Sequence, residues 1–385
     1  MRSLALALAL LVAGCGDNGS AVVDAALTTD AGPAWLTSAR VFVDGVHETN
    51  VECRTGLCPH DENTDLVVYQ GATYLVHRTA ESQVLGPNSS LRVYRSADHG
   101  AHFDLLAVIP APVDRDLRDP SFYVVDGKLA LKAITRLPVT SDRDSNVDSI
   151  SVNTVSADGG ATWGPLTAIG PAMWSFWRIR DDAAGVHYSA AYHDGDESVQ
   201  LFSSTDGQAW TAGAVIYDKR EDTPLETELV FLPSGDLLAL VRMDGSNDEL
   251  YGNFGRLRTA VCVASPPYAA FTCPQTLDGV RLDGPVAFAS GGRQFVVARK
   301  HFIEVADRKR TSLYELVGAP GSYTVVDHGD FPSAGDTSYA GVVPIADDQF
   351  LVSYYSSNLT EDGPWVRALL EPSDIWLATI DLAKL

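Results

Sequence analysis

The chain has 385 residues, 45% hydrophobic and 20% charged, with 50 acidic against 28 basic side chains and a formal net charge of -22. This composition excludes a disordered polyampholyte, a polytopic membrane protein and a basic nucleic-acid binder. Length allows one large domain or two to three ordinary ones, and 32 Gly and 20 Pro against 3 Met lean toward turns and short strands.

At the N-terminus, Arg2 supplies a short positive region, Leu4 to Ala13 are apolar, and Val12-Ala13-Gly14-Cys15 follows. This is the pattern of an exported segment too short to span a bilayer. It resembles the lipobox of bacterial lipoproteins, which implies cleavage before Cys15 and a lipid anchor on that cysteine. The expected division is a signal peptide over residues 1–14, the lipidated Cys15 with a polar tether over 15–38, and one folded domain over 39–385. An ordinary secretory signal leads to the same side of the membrane. The expectation is an exported protein, periplasmic or at the cell surface, that meets the membrane through its N-terminal lipid alone. The four remaining cysteines fall into two close pairs, Cys53/Cys58 and Cys262/Cys273. An oxidising compartment and short loops predict these as disulfides, since neither pair has histidines or a second cysteine pair at zinc spacing.

Three segments share a turn pattern: SADHGAHF from Ser96, SADGGATW from Ser156 and STDGQAW from Ser204. Each follows a strand-like run. Ser and Asp oxygens can accept turn N–H groups, Gly can take a positive φ, and the closing aromatic can cap the sheet. The turns resemble the Asp-box of sialidases and related propellers.

A weaker repeat spans more of the chain. NTDLVVYQGATYLVHR, RDPSFYVVDGKLALKAITR, FWRIRDDAAGVHYSAAYH, ETELVFLPSGDLLALVR, DGPVAFASGGRQFVVAR and DTSYAGVVPIADDQFLVSYY begin at 63, 118, 176, 226, 283 and 336. Six copies at this spacing predict an all-β fold, a six-bladed β-propeller of four-stranded antiparallel blades. The first strand of each blade should line the axis, gathering Asp65, Arg118, Asp119, Arg178, Glu226, Asp283 and Tyr339. Second strands close on Arg78, Arg136, His193, Arg242 and Arg299, which either rim the same pocket or form blade-to-blade ion pairs. Trp174, Trp177, Arg178, Tyr192 and His193 suit stacking on a sugar, or plain packing.

With these repeats, residues 40 to 383 resemble the sialidase superfamily. ETELVFLPSGDLLALVR resembles the stretch where a glutamate precedes a substrate-binding arginine, matching Glu226 and Arg242. DTSYAGVVPIADDQFLVSYY resembles the stretch carrying the nucleophilic tyrosine, matching Tyr339; Tyr355 stands where a glutamate usually follows Tyr354. The resemblance implies a retaining exo-glycosidase acting on a terminal, anionic sugar. A phenol needs a neighbouring base, here Glu226 or, second, Glu228. Arg242 with Arg299 or Arg310 would hold a substrate carboxylate.

Two features depart from the family. The first blade's Arg-Ile-Pro type motif is replaced by HDENTDLVVY, leaving Arg78 or Arg118 as substitutes for the first arginine of the triad. The acid/base aspartate has no counterpart in TAESQVLGPNSSL, which nominates Asp65 or Asp119 instead. A catalytically silent glycan-binding propeller is the rival reading. No catalytic metal or cofactor is expected, although Asp-rich turns are a composition that can hold a structural calcium. A monomer with a glycan partner and no nucleic-acid partner is expected.

Overall fold

The computed structural model describes residues 32–84, 87–137, 148–193, 195, 197–245, 257–302 and 308–385. The signal peptide and Cys15 lie outside these residues. Among those described, no helix is long and apolar enough to cross a membrane.

The fold is all-β. The strands are β1 (Leu36–Val43), β2 (His60–Tyr69), β3 (Ala72–Ala80), β4 (Ser90–Ser96), β5 (Asp104–Pro110), β6 (Asp116–Val125), β7 (Lys128–Arg136), β8 (Ile150–Ser156) and β9 (Thr167–Ala168). There follow β10 (Trp174–Asp181), β11 (His187–His193), β12 (Ser198–Ser204), β13 (Thr211–Tyr217), β14 (Pro224–Phe231), β15 (Leu237–Met243), β16 (Arg258–Ala264) and β17 (Thr272–Asp278). The last are β18 (Asp283–Ser290), β19 (Arg293–His301), β20 (Lys309–Val317), β21 (Thr324–Asp330), β22 (Thr337–Ala346), β23 (Gln349–Ser357) and β24 (Ser373–Asp381). Helix is confined to α1 (Trp365–Ala368) and short 3-10 turns.

Consecutive strands pair antiparallel in four-stranded sheets β6–β9, β10–β13, β14–β17 and β18–β21. The separate blades therefore number four, not the six that the repeat predicts. The other eight strands form one sheet, in which β22-β23-β24, with β1 on the outer edge of β24, joins β2-β3-β4-β5. The join is a single parallel bridge between His60 and Ser373. Ser373 fastens it by donating its N–H to the Pro59 carbonyl at 3.0 Å and its hydroxyl to the Asp61 carbonyl at 2.7 Å. The first and last repeats thus fuse where the ring closes. The first strands β2, β6, β10, β14, β18 and β22 each touch the next, and β22 touches β2, so they surround an axis.

Middle strands are covered on both faces by neighbouring blades, and their sequences are correspondingly apolar along their length. ATYLVHRTA in β3 and LLALVRM in β15 are buried throughout, whereas outer strands such as β13 and β21 are largely open to solvent. The apolar cores lie between blades, as where Tyr192 and Leu201 meet Leu229 and Ala239. Both cysteine pairs form disulfides, with Cα atoms 5.4 Å apart at Cys53–Cys58 and 3.9 Å at Cys262–Cys273.

The three Ser-Asp-Gly segments are the turns between third and fourth strands, and they share one bonding scheme. The Ser156 hydroxyl donates to Asp158 at 2.8 Å and accepts the Gly160 N–H at 2.7 Å, Asp158 accepts the Thr162 N–H at 2.9 Å, and Trp163 Nε1 donates to the Gly160 carbonyl at 2.9 Å. Ser96/Asp98 and Ser204/Asp206 repeat the serine and aspartate bonds. Gly100, Gly160 and Gly207 all take positive φ, so a side chain would be strained there.

Ser156→Ala removes the three bonds of a buried hydroxyl and should cost about 1–2 kcal/mol, read as a lower urea midpoint. Bonds from Thr162 and Ser156 hold the Asp158 carboxyl down at about 2. Because the folded value is depressed, this contribution is complete above the unfolded carboxyl value and is lost as pH falls through the folded one. The midpoint difference between the native chain and Asp158→Asn should be constant above about pH 5 and shrink between about pH 4 and 2.

Candidate active site

Every first strand carries a bulge at the same place. Register breaks fall between Glu62 and Asp65, Arg118 and Ser121, Phe176 and Ile179, Pro224 and Thr227, Asp283 and Val286, and Ser338 and Gly341. A bulge re-aims the side chains it contains. The equivalent bulge pairs are Asn63-Thr64, Asp119-Pro120, Trp177-Arg178, Leu225-Glu226, Gly284-Pro285 and Tyr339-Ala340. Asn63, Asp119 and Tyr339 sit at φ of 50°, 50° and 48°, a left-handed backbone that non-glycine residues adopt only when held there.

From these bulges Tyr339 and Glu226 meet. The Tyr339 hydroxyl donates to Glu226 Oε1 at 2.7 Å. Arg242, from the end of β15, ties the pair together: its Nη1 donates to the Tyr339 hydroxyl at 3.1 Å and to Glu226 Oε2 at 2.6 Å. The Arg299 guanidinium lies 5.0 Å from the centre of the Tyr339 ring, and the Trp177 ring stands edge-on at 5.7 Å. Burial first, and Glu226 second, push the Tyr339 phenol well above its ordinary value, against the pull of Arg242 and Arg299. At rest Tyr339 is a neutral phenol whose proton points at a carboxylate.

A narrow cleft of about 10 Å³ lies beside this cluster, lined by Asn63, Asp119, Ser121, Lys132, Trp177, Arg178 and Tyr339 among others. Asp119 is half-buried at its edge, and no hydrogen bond to its carboxylate is found among the described residues. Asp65 is committed elsewhere, since it receives Arg178 Nη1 at 2.5 Å and the Phe122 N–H at 2.7 Å. Of the two aspartates nominated as acid/base, only Asp119 lines the cleft.

The arginines gather as expected, but each meets carboxylates. Arg78 Nη1 donates to Glu62 at 2.5 Å, while its Nε and Nη2 grip Asp116 at 2.8 and 3.0 Å. Arg118 shares both acids, at 2.9 Å from Glu62 and 3.2 Å from Asp116. Besides Glu226, Arg242 contacts Asp244 at 2.7 Å and Asp283 at 3.1 Å. Arg299 donates to Asp336 at 2.7 Å and to the Tyr355 hydroxyl at 2.9 Å. Burial opposes charge on Arg242, but Asp244, Asp283 and Glu226 overcome it and hold the guanidinium protonated. Burial likewise opposes charge on Glu62, yet Arg78 and Arg118 hold its carboxyl well below the usual range.

Other nominated residues lie apart. Arg310 pairs with Asp362 at 2.8 Å, and among the described residues no hydrogen bond or ion pair joins it to the Tyr339 cluster. Glu228 cannot stand in for Glu226, because it is held by Arg180 and accepts the Ala287 N–H at 3.2 Å. Arg136 donates to the Tyr192 hydroxyl of the next blade at 3.1 Å, and His193 stands edge-on against Trp174 within that blade. The sequence reading missed Lys132, whose amine donates to the Asp119 carbonyl at 2.9 Å and which burial pulls down to about 7. It also missed Asn63 and Ser121. The shared bulge position would have pointed to Asn63, but nothing in sequence marks Lys132 as distinct from a surface lysine. His60, Glu62 and Asp336 lie close enough to ligate one ion, but Arg78, Arg118 and Arg299 already occupy the two carboxylates.

No protein-family profile matches the chain, and no curated protein matches it. Solved structures do. A protein of unknown function from Dyadobacter fermentans aligns with a TM-score of 0.64 at 16% identity, covering 90% of this chain and 100% of that one. The Trypanosoma rangeli sialidase in complex with sialic acid aligns at 0.61 and 13% identity, over 90% of this chain and 59% of that one. NanB sialidase from Streptococcus pneumoniae aligns at 0.63 and 12%, over 90% and 71%. The fold is sialidase-like. This chain spans about three-fifths of the length of the T. rangeli sialidase, and at such identities the sialidase-like likeness concerns the backbone alone.

Arg78→Met would leave Glu62 and Asp116 buried without their main partner. Loss of one member of such a buried pair should cost about 3–5 kcal/mol, measured by chemical denaturation.

Proposed function

We propose that the chain is an exported, retaining exo-glycosidase of the sialidase-like kind, acting on a terminal sugar of glycans outside the cytoplasm. The observation that carries this reading is the 2.7 Å bond between the Tyr339 hydroxyl and Glu226, bridged by Arg242. Tyr339 is the nucleophile. As its oxygen bonds the anomeric carbon, Glu226 takes the phenol proton and the glycosidic C–O bond breaks. Asp119 gives the leaving oxygen its proton, then takes one from the water that releases the sugar from Tyr339. Arg242, within hydrogen-bond reach of the phenol oxygen, and Arg299 over its ring favour the negative charge that develops there. Trp177 offers an aromatic face or edge to the sugar ring. Export and anchoring through Cys15 complete the proposal, and the two disulfides are consistent with an oxidising compartment.

One observation favours a binding protein without turnover: Tyr339 is only 8% exposed and its hydroxyl is bonded on both sides. Turnover of a panel of fluorogenic glycosides separates the two. The native chain should cleave at least one, with Tyr339→Phe and Glu226→Gln each lowering kcat by about 10²–10⁴-fold and Asp119→Asn by a similar factor. If the native chain binds glycans but cleaves none of the panel, the binding reading replaces the enzymatic one.

A further inference from the structure

Asp119 occupies a backbone conformation that its own sequence disfavours. It lies in the bulge of β6 at a φ of 50°, and Pro120 follows it. A proline ring presses the residue before it toward extended backbone, so a left-handed Asp119 is strained by its own Cβ and by its neighbour together. Pro120 also lacks an N–H, which leaves the peptide between the two residues only its carbonyl to bond with. Such backbone persists only where the surroundings hold it.

The group that reaches this carbonyl is the amine of Lys132. Lys132 lies opposite Ser121 in β7, its side chain is 1% exposed, and its Nζ donates to the Asp119 carbonyl at 2.9 Å. Fixing that oxygen fixes how the Asp119–Pro120 peptide is turned, and with it the direction in which Asp119 carries its carboxylate. The bulge of β22 repeats the device, since Tyr339, at a φ of 48°, has its carbonyl held by the Thr64 hydroxyl at 3.1 Å. Burying an amine is costly where a methionine would fill similar space, so the bond it makes is what distinguishes lysine at this position. The charged groups that face the amine are Asp119 from β6, Asp65 from β2, Arg178 from β10 and Arg136 from its own strand, and burial, ahead of all of these, pulls it down to about 7.

We infer that Lys132 is the positioning residue for Asp119: its bond to the Asp119 carbonyl holds the left-handed bulge and so keeps the carboxylate at the edge of the cleft. The use of that carboxylate as proton donor rests on the glycosidase reading, whereas the hold on the backbone does not.

The test reads the backbone and the reaction separately on the purified full chain. Asp119–Pro120 is the one Asp-Pro bond in the sequence, so labelling with carbon-13 aspartate and nitrogen-15 proline gives a single carbonyl–nitrogen correlation that reports this peptide alone. Carbon-detected NMR follows the peak with pH in the native chain, Lys132→Met and Lys132→Arg, with urea midpoints to confirm folding. The native carbonyl shift should move in a step centred near pH 7, far below the value of about 10.4 for a free lysine. Lys132→Met should displace the peak and abolish the step, while Lys132→Arg, which keeps a donor, should abolish the step and return the peak toward its native place. A peak that Lys132→Met leaves in place, or a step that survives it, overturns the inference. Should neither variant fold, a native peak that stays flat between about pH 5 and 9 overturns it. Turnover of fluorogenic glycosides then tests the link to Asp119. Lys132→Met should lower kcat by about 10–10²-fold with KM changed less than about threefold, and Lys132→Arg should restore part of that loss. Added to Asp119→Asn, Lys132→Met should cost less than about threefold more, and full additivity of the two overturns the positioning role. If the native chain cleaves no glycoside, the glycosidase reading falls and the peak alone decides whether Lys132 holds Asp119.

Discussion

The structure depends on arginines that cross from one blade to a carboxylate of the next. Arg78 leaves the end of β3 for Asp116 at the start of β6, Arg242 leaves β15 for Asp283 at the start of β18, and Arg299 leaves β19 for Asp336 just before β22. Arg180 makes the same kind of crossing from β10 to Glu228 in β14. Apolar burial between blades is non-directional and would tolerate sliding. Charge-assisted bonds with fixed geometry do not, so these pairs set the angle and register at which neighbouring blades meet. Their burial is tolerable because each of these guanidinium groups faces a carboxylate.

That frame permits strain at the axis. The bulges of the first strands break the ladder six times in the same place, and non-glycine residues at three of them sit in the left-handed region. Such backbone costs on the order of 1–3 kcal/mol per residue and persists only where the surroundings over-determine it. The crossing pairs lie within a few residues of each bulge and provide that support. The result is that Asn63, Asp119 and Tyr339, far apart in sequence, project toward one cleft from strands otherwise fixed by ordinary pairing.

The parts of this arrangement legible in sequence are those encoded locally. The Ser-Asp-Gly turns and the two cysteine pairs each lie within a dozen or so residues, and each appears in the structure. The meeting of Tyr339 with Glu226 depends on residues 113 apart and was legible only through resemblance to known sialidases. Glu228 illustrates why periodicity alone fails. Alternate residues of a strand share a face, but the bulge between Pro224 and Thr227 breaks that period, so Glu226 reaches Tyr339 while Glu228 turns to Arg180. Likewise Asp65 and Asp119 look equivalent as polar heads of adjacent repeats. Only the position of Arg178 decides that Asp65 is neutralised. The fusion of the first and last repeats rests on one bridge at His60–Ser373, with no residue pattern of its own.

Arg242 shows how closely architecture and chemistry are joined. It bonds the Tyr339 hydroxyl and Glu226, and it also spans to Asp244 and Asp283 in the crossing that fixes β15 against β18. Replacing it would disturb blade packing and the phenol's environment together, so lost activity in such a variant would not identify a role in the reaction. Tyr339 and Asp119 are different. Neither takes part in a crossing ion pair, and the hydroxyl of one and the carboxylate of the other can be altered with nearly unchanged volume. The chemical role of the axis is therefore best separated from its structural role at those two side chains.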